Sequence, residues 1–449
     1  MSKEVKMTSG HPGKLLFTFA LPLMFGNIFQ QLYTVVDTAI VGQGVGMDAL
    51  AALGTVDWLN WMFIGIAQGF TQGFSVQLAH KFGEGDIPGL KKSLGTSLIL
   101  ALWIALGLTA FSQLSLPLLT RLLGIPVQLQ EMAMLYDRIL FAGIPAMLFY
   151  NFCASVLRAV GNSKTPLYAM VAASLTNIVL DCLAVFVLDW GIGGAALATV
   201  FAQLLSGVIC AVKIWKTPEL RFGKKDLIYD SENGKRLMFL GTPVAAQNIV
   251  IAVGGMAVQS VVNRFDTSFI AGFTSSNKLY GVLEIAALSY GYAVTTYTGQ
   301  NYGAGKWDRI RKGIRWAVAI SLITSVIIGG VMILLGRPIT MLFISTEIPE
   351  QAAAAGEAAY QYLFAMSAAL PVLYLLYAYR SALQGMGNTK VPLFSGILEL
   401  VIRVGAAYLI GLAGWQTGLL YIEPLAWISA ATLLASAYYA SAAKLGKRY

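Results

Sequence analysis

Residues 157–168 read Leu-Arg-Ala-Val-Gly-Asn-Ser-Lys-Thr-Pro-Leu-Tyr, and residues 383–394 read Leu-Gln-Gly-Met-Gly-Asn-Thr-Lys-Val-Pro-Leu-Phe. The two stretches lie 226 positions apart, and Pro145 and Pro371 keep the same offset. Earlier in each half, Phe82-Gly83 matches Tyr302-Gly303 at an offset of 220, and Pro22 matches Pro243 at 221. Anchors that recur in one order mark an internal duplication. The small change of offset fits a difference in loop length between the third and fourth helices of each half.

The residues around these anchors say what is duplicated. Of 449 residues, 57 % are apolar and 12 % charged, the latter about half the ~25 % of an ordinary soluble domain. A globule of this length needs a charged shell, and 31 basic plus 22 acidic residues cannot supply one. Disordered chains are poor in apolar residues. The 46 glycines have no three-residue period, and three cysteines are too few for a disulfide framework. The chain therefore reads as an all-α polytopic membrane protein. Twelve apolar stretches are long enough to cross a bilayer: 15–41, 49–79, 94–116, 130–157, 166–188, 193–215, 237–263, 275–299, 314–335, 355–383, 392–412 and 420–442. The first is no signal peptide, being too long and containing Pro22, Asn27, Gln30, Gln31 and Asp37.

Charge sets the orientation. Twenty-five of the 31 Lys and Arg fall in alternate loops and at the termini, among them Lys91, Lys92, Lys164, Lys225, Arg309, Arg380 and Lys390. The positive-inside rule places both termini and the 216–236 connection in the cytoplasm. The net charge of +9 is thus loop charge and not a nucleic-acid face. Six spans per half is an even number, so both halves enter from the same side. The repeat is parallel, two six-helix bundles related by a pseudo-two-fold axis along the membrane normal. The expected boundaries are a first lobe over 1–215, a linker over 216–236 and a second lobe over 237–449, with no soluble domain. Two parallel bundles with a path between them is a transporter architecture. Pro22 and Pro243 read as bending points or as static kinks.

An acid near the middle of a span costs on the order of 2.5–3.5 kcal/mol by insertion scales, so such residues point to function. Gln30, Tyr33 and Asp37 share one face of the first span, and Ser174, Asn177 and Asp181 one face of the fifth. Thr199, Gln203 and Ser206 form a third stripe on the sixth. Two carboxylates, an amide and a hydroxyl form a hard-oxygen set that suits Na⁺ and equally H⁺. Two unpaired acids repel in a low-dielectric interior, and binding either cation relieves the repulsion. Under the repeat offsets Asp37 maps near Val258 and Asp181 onto Ala407, so the second half lacks this pair. Its own polar residues are Glu284, which fits a cationic substrate, a second proton or a structural role, and Glu399 with Arg403. The last two are four apart on one helix and read as a structural ion pair or as cavity lining. Gly65, Gly69 and Gly73 read as helix packing.

Several chemistries lack their residues. No GxxxxGK[ST] is present for ATP, and no HExxH or usable GxSxG for hydrolysis. No TVGYG-like filter appears. Cys153, Cys182 and Cys210 stand far apart, as do His11 and His80, which argues against zinc. Neither an enzyme nor a resident cofactor is expected.

The chain resembles the multidrug and toxic compound extrusion (MATE) family. The resemblance rests on Gln31-Leu-Tyr-Thr-Val-Val-Asp37-Thr-Ala-Ile-Val-Gly42, the Leu-Arg-Ala-Val-Gly-Asn-Ser-Lys-Thr-Pro loop, Asn177-Ile-Val-Leu-Asp181 and Gly299-Gln-Asn-Tyr-Gly-Ala-Gly305, and it covers essentially the whole chain. The acid in the first span with the Asn-x-x-x-Asp pair looks like the prokaryotic DinF-like branch. The resemblance implies a Na⁺ or H⁺ site at Asp37, Asn177, Asp181 and Thr199, with the backbone carbonyl of Ala195. It also implies an antiporter of the prokaryotic plasma (inner) membrane that exports small organic cations through a V-shaped cavity between the lobes; a monomer in the lipid bilayer is expected. Gln30, Tyr33, Glu284, Glu399 and Arg403 remain as substrate or second-site residues. The alternative is a lipid-linked oligosaccharide flippase of the same superfamily, disfavoured by twelve spans with almost no buried basic residue except Arg403.

Overall fold

Asn162 and Asn388, the asparagines of the duplicated stretch, close the same turn in both halves. The Oδ1 of Asn162 accepts from the Thr165 N–H at 3.0 Å and that of Asn388 from the Val391 N–H at 3.3 Å. Each asparagine N–H in turn donates to the carbonyl five residues back, of Leu157 or Leu383, at 2.9 Å. The turn needs a left-handed residue, and Gly161 and Gly387 supply it with φ of +87° and +82°; a Cβ would be strained there. One local solution is thus written twice, as the duplication predicts.

The computed structural model describes residues 6–223, 225–262, 265, 267–341 and 349–446. Among them every regular element is a helix: α1 (Pro12–Gly44), α2 (Met47–Glu84), α3 (Ile87–Leu122), α4 (Val127–Ala142), α5 (Ile144–Ala159), α6 (Lys164–Cys182), α7 (Gly191–Lys216), α8 (Ser231–Val262), α9 (Thr267–Gly303), α10 (Trp307–Met341), α11 (Pro349–Gly385), α12 (Lys390–Ala413) and α13 (Ile422–Gly446). A π-helical turn, Leu183–Val187, prolongs α6, and a 3₁₀ turn, Gln416–Tyr421, leads into α13. Ten of these rods are long and apolar enough to span a bilayer, and α4 with α5 makes an eleventh, bent by 46°. The 37 residues of α9 form the twelfth rod. The bend corrects the unbroken fourth span over 130–157. Pro145 has no N–H to give the carbonyl four residues back, so the ladder parts at Gly143. Other helices run several residues past their apolar stretches, as α3 does against 94–116. Many large apolar side chains, Leu114, Leu334 and Trp103 among them, stand exposed on the surface, and so much apolar surface is tolerable against lipid and not against water.

The described chain forms two compact units. The first holds Leu21–Ala246, the second Met7–Ala20 together with Gln247–Tyr449. So α1 and α8 each serve both units, and each changes over within a turn of its proline, Pro22 or Pro243.

In the first unit, glycines let α2 meet the opening turns of α8 at backbone distance. A Cβ on Gly69 would lie 2.4 Å from the Ala245 Cα, and one on Gly73 2.3 Å from the Gly241 Cα. The packing reading of these two glycines is correct. The described end of the connection into α8 is tied down on α3 at Asp230. Lys92 pairs with Asp230 at 2.7 Å, Asp230 also accepts from the Asn233 N–H at 2.7 Å, and the Ser93 hydroxyl donates to Asn233 at 3.3 Å. The Lys92 ammonium and the Asn233 N–H hold the Asp230 carboxyl below the usual carboxylate range. The second unit has its own strap. The Met7 carbonyl accepts from Asn301 at 3.0 Å and from Arg309 at 3.1 Å, while the Met7 N–H donates to Gln300 at 2.9 Å.

Candidate functional site

The acids of the first unit meet because an apolar cluster forces their helices together. Ile40 and Val41 of α1, Ala133 and Tyr136 of α4, Val185 of the π-turn and Ile192, Ala195 and Ala196 of α7 pack as one buried group. Gly44, at the end of α1, gives the space in which Val185 and Phe186 sit; a Cβ there would come within 2.3 Å of Val185. The polar stripes of α1, α6 and α7 lie against this cluster. Asp37, Ser174, Asn177, Asp181 and Ala195 are all buried, with Asp181 at 0 % exposure.

Asp37 and Asp181 lie close enough for their carboxyls to act on each other electrostatically. Asn177, one turn before Asp181, donates from Nδ2 to the Thr199 hydroxyl at 3.5 Å, a long contact. Ala195 lies one turn before Thr199 on α7. Tyr33 is half-buried beside Gln30 on α1, within electrostatic reach of both carboxyls. The set is short of donors. Asp37 Oδ1, both Asp181 oxygens, Asn177 Oδ1 and Ser174 Oγ meet no hydrogen-bond partner among the described residues. Buried polar atoms are almost always satisfied, so this clustering of orphan oxygens is the feature to be explained. A cation placed among them satisfies several at once; a proton satisfies the pair of carboxyls. The π-turn begins two residues after Asp181, and such turns recur at functional positions.

The equivalent places in the second unit are apolar: Val258 and Ala407 are buried. That unit carries a different cluster. The Tyr377 hydroxyl on α11 donates to Glu284 on α9, and Tyr280, one turn before, lies within electrostatic reach of it. Arg380 on α11 donates to Glu399 on α12. Glu399 lies 3.4 Å from Arg403, and Arg403 reaches Glu423 on α13 through contacts of 2.7, 3.0 and 3.1 Å. The expected Glu399–Arg403 pair is therefore the weaker middle link of a four-charge row, Arg380–Glu399–Arg403–Glu423.

Two corrections follow. Arg380 is no loop residue; it sits inside α11 at 7 % exposure. Among the described residues the second lobe consequently buries two guanidinium groups, not one. Arg380 and Lys390 flank a Gly-rich turn, which made both look like loop charge. Glu423 opens α13 and by sequence looks like an acid at a helix N-terminus. Only the packing of α11, α12 and α13 brings these residues to one place.

Comparison with known proteins agrees with this architecture. The family model described as MatE matches residues 22–183 and 243–409. The chain is 30 % identical to "Probable multidrug resistance protein YpnP" of Bacillus subtilis (strain 168), over 69 % of this chain and 69 % of that one. It is 29 % identical to "Probable multidrug resistance protein YoeA" of the same organism, over 74 % and 73 %. The solved structure "Crystal structure of MATE in complex with MaL6" superposes with a TM-score of 0.91 at 24 % identity, covering 100 % of both chains; it speaks for the fold alone.

Proposed function

This chain belongs to the MatE family of membrane transporters, and from that premise we propose that it is a secondary antiporter. It exports small organic, cationic amphipathic compounds in exchange for H⁺ or Na⁺ by alternating access. We place it as a monomer in a prokaryotic plasma membrane with both termini cytoplasmic, its working lobes 1–215 and 237–449 joined by the 216–236 linker. The observation that carries the reading is the set of orphan oxygens on Asp37, Ser174, Asn177 and Asp181.

The chemistry follows from the charges. With no cation, Asp37 and Asp181 repel across the contact between α1 and α6. A proton on one carboxyl, or Na⁺ held by Asp37, Asn177, Asp181, Thr199 and the Ala195 carbonyl, removes the repulsion and lets the helices close. A gradient that loads this site on one side and empties it on the other alternates the two arrangements. Each charge carried inward draws about 2.3 kcal/mol from every 100 mV of membrane potential. Gln30 and Tyr33, next to the pair on α1, are positioned to feel that change. Glu284, Glu399 and Arg403 we assign to the second unit's lining or scaffold. The flippase reading gains one buried cation from Arg380, but both guanidinium groups already face carboxylates, so neither is free for a lipid phosphate.

The test is dye efflux from proteoliposomes with sodium and proton gradients imposed separately. Asp37→Asn and Asp181→Asn are expected to fold and to lose gradient-driven efflux. With one charge uncoupled, the accumulation ratio at 100 mV falls by roughly 50-fold. Wild-type efflux by either variant would overturn the assignment.

A further inference from the structure

One acid of the first unit lies outside that site. Asp137, on α4, is fully buried at 0 % exposure. Its Oδ1 accepts a single hydrogen bond, from Asn60 Nδ2 on α2 at 3.0 Å, and its Oδ2 meets no partner. It forms no ion pair with a Lys, Arg or His among the described residues. Helix α4 packs against α2, α3, α7 and the start of α5, and its Ala133 and Tyr136 also meet Ile40 and Val41 of α1 and Val185 of the π-turn. From those helices the charged group that acts on Asp137 is Asp57, an anion, one turn before Asn60 on α2. Asp57 is itself exposed. Tyr136, beside Asp137 on α4, is in electrostatic reach of Asp37, Asp57 and Asp137.

A carboxylate in this place has one neutral donor, an anionic neighbour and no water-exposed atom. Ionised, it is among the least favoured groups in the unit. If only an interhelical hydrogen bond were needed, an asparagine or serine would make it without that cost. What an acid adds is the ability to hold a proton. We propose that Asp137 is a second proton-binding site of the first unit, separate from the Asp37–Asp181 pair and filled and emptied through the exposed Asp57. In the loading step a hydronium ion gives its proton to the Asp57 carboxylate. That proton passes to Asp137 Oδ2, which becomes a neutral acid while Asp57 returns to its anion. The release step is the reverse. Occupancy of this site stands without the antiport reading; its turnover during transport rests on it.

The experiment uses infrared spectroscopy of the full chain in lipid nanodiscs, reading the carbonyl stretch of protonated carboxylic acids. In Asp37→Asn/Asp181→Asn an acid band is expected to remain near neutral pH, and in the triple variant with Asp137→Asn its Asp137 component is expected to vanish, leaving only the contribution of the buried Glu284. Asn60→Ala, which leaves Asp137 in place, should move the band by removing its one donor. Asp57→Asn should slow its exchange in heavy water several-fold. In proteoliposomes, Asp137→Asn should release one proton fewer per dye molecule than wild type. No band difference between double and triple variants at any pH, with no shift in Asn60→Ala, would overturn the site. An unchanged exchange rate in Asp57→Asn, or an unchanged proton count, would overturn its filling and emptying. Failure of the antiport reading looks different: the band persists while wild type moves no coupled ion at all.

Discussion

Replacing Glu423 by Gln removes one end of the row Arg380–Glu399–Arg403–Glu423 and leaves two cations facing one anion. The amide oxygen of Gln can still accept from the guanidinium, but Arg403 loses the counter-charge behind its three short contacts, at 2.7, 3.0 and 3.1 Å, and keeps the 3.4 Å approach to Glu399. Opposite charges about 4 Å apart attract by about 4 kcal/mol at an effective dielectric of ~20. Arg403 is only 6 % exposed at its side chain, so water cannot replace what is lost. Breaking one partner of such a pair costs about 3–5 kcal/mol, and that is the expected loss for Glu423→Gln. Removing both partners of the Arg403–Glu423 pair in Glu423→Gln/Arg403→Met leaves Arg380–Glu399 as a balanced pair, and most of the loss should return, to within ~1 kcal/mol. The assay is reversible unfolding in mixed micelles, followed by circular dichroism. Glu357→Gln is the control, because its partner Arg337 is 66 % exposed and the pair lies at 3.2 Å on the surface; less than ~1 kcal/mol is expected. If Glu423→Gln falls within ~1 kcal/mol of that control, or if the double variant costs the sum of its singles, the row is not a coupled buried network and the reasoning fails.

Two further outcomes follow from packing and charge. Gly73→Ala should cost about 1–3 kcal/mol in the same unfolding assay, because its Cβ would meet the Gly241 Cα at 2.3 Å and backbone cannot yield; Gly107→Ala, with nothing within 4 Å of its Cβ, should be neutral or gain up to ~1 kcal/mol. Asp230 ties the segment entering α8 to Lys92, and its carboxyl is held below the ordinary value by that ammonium and the Asn233 N–H. A depressed folded-state value means the anchor is present above the ordinary aspartate range and is lost as pH falls through the lowered value. Limited proteolysis of the segment should therefore be slow near neutrality and quicken in acid, while Asp230→Asn is cut quickly at both; equal cleavage of wild type at both pH values would refute the anchor.

The class of fold is legible in the chain because bilayer spans announce themselves by composition. An apolar run long enough to cross needs no tertiary partner to be recognised, and the duplicated Gly-Asn turn is a local structure whose hydrogen bonds close within a few residues. Helix ends were less visible, since helical hydrogen bonding runs on into charged sequence, and the break at Gly143 hid inside an apolar run. The first unit's acids stood out for the same reason as the spans: Asp37 and Asp181 are costly in apolar surroundings wherever their helices lie, and spacing alone set each beside its polar companions.

Arg380, Glu423 and Asp137 show the opposite limit. Each looks ordinary along the chain, as a charge near a turn, an acid opening a helix or one polar residue in a mixed segment. Their meaning comes from partners on other helices, 19 or more positions away for Arg380 with Glu399, 20 for Arg403 with Glu423 and 77 for Asn60 with Asp137. By itself the sequence determined that this chain is a doubled helical membrane protein with acids where lipid should forbid them, because hydropathy and helical periodicity are local. Only the tertiary structure decided which buried charges are matched and which are left without a counter-charge, because that depends on the packing of helices distant in sequence.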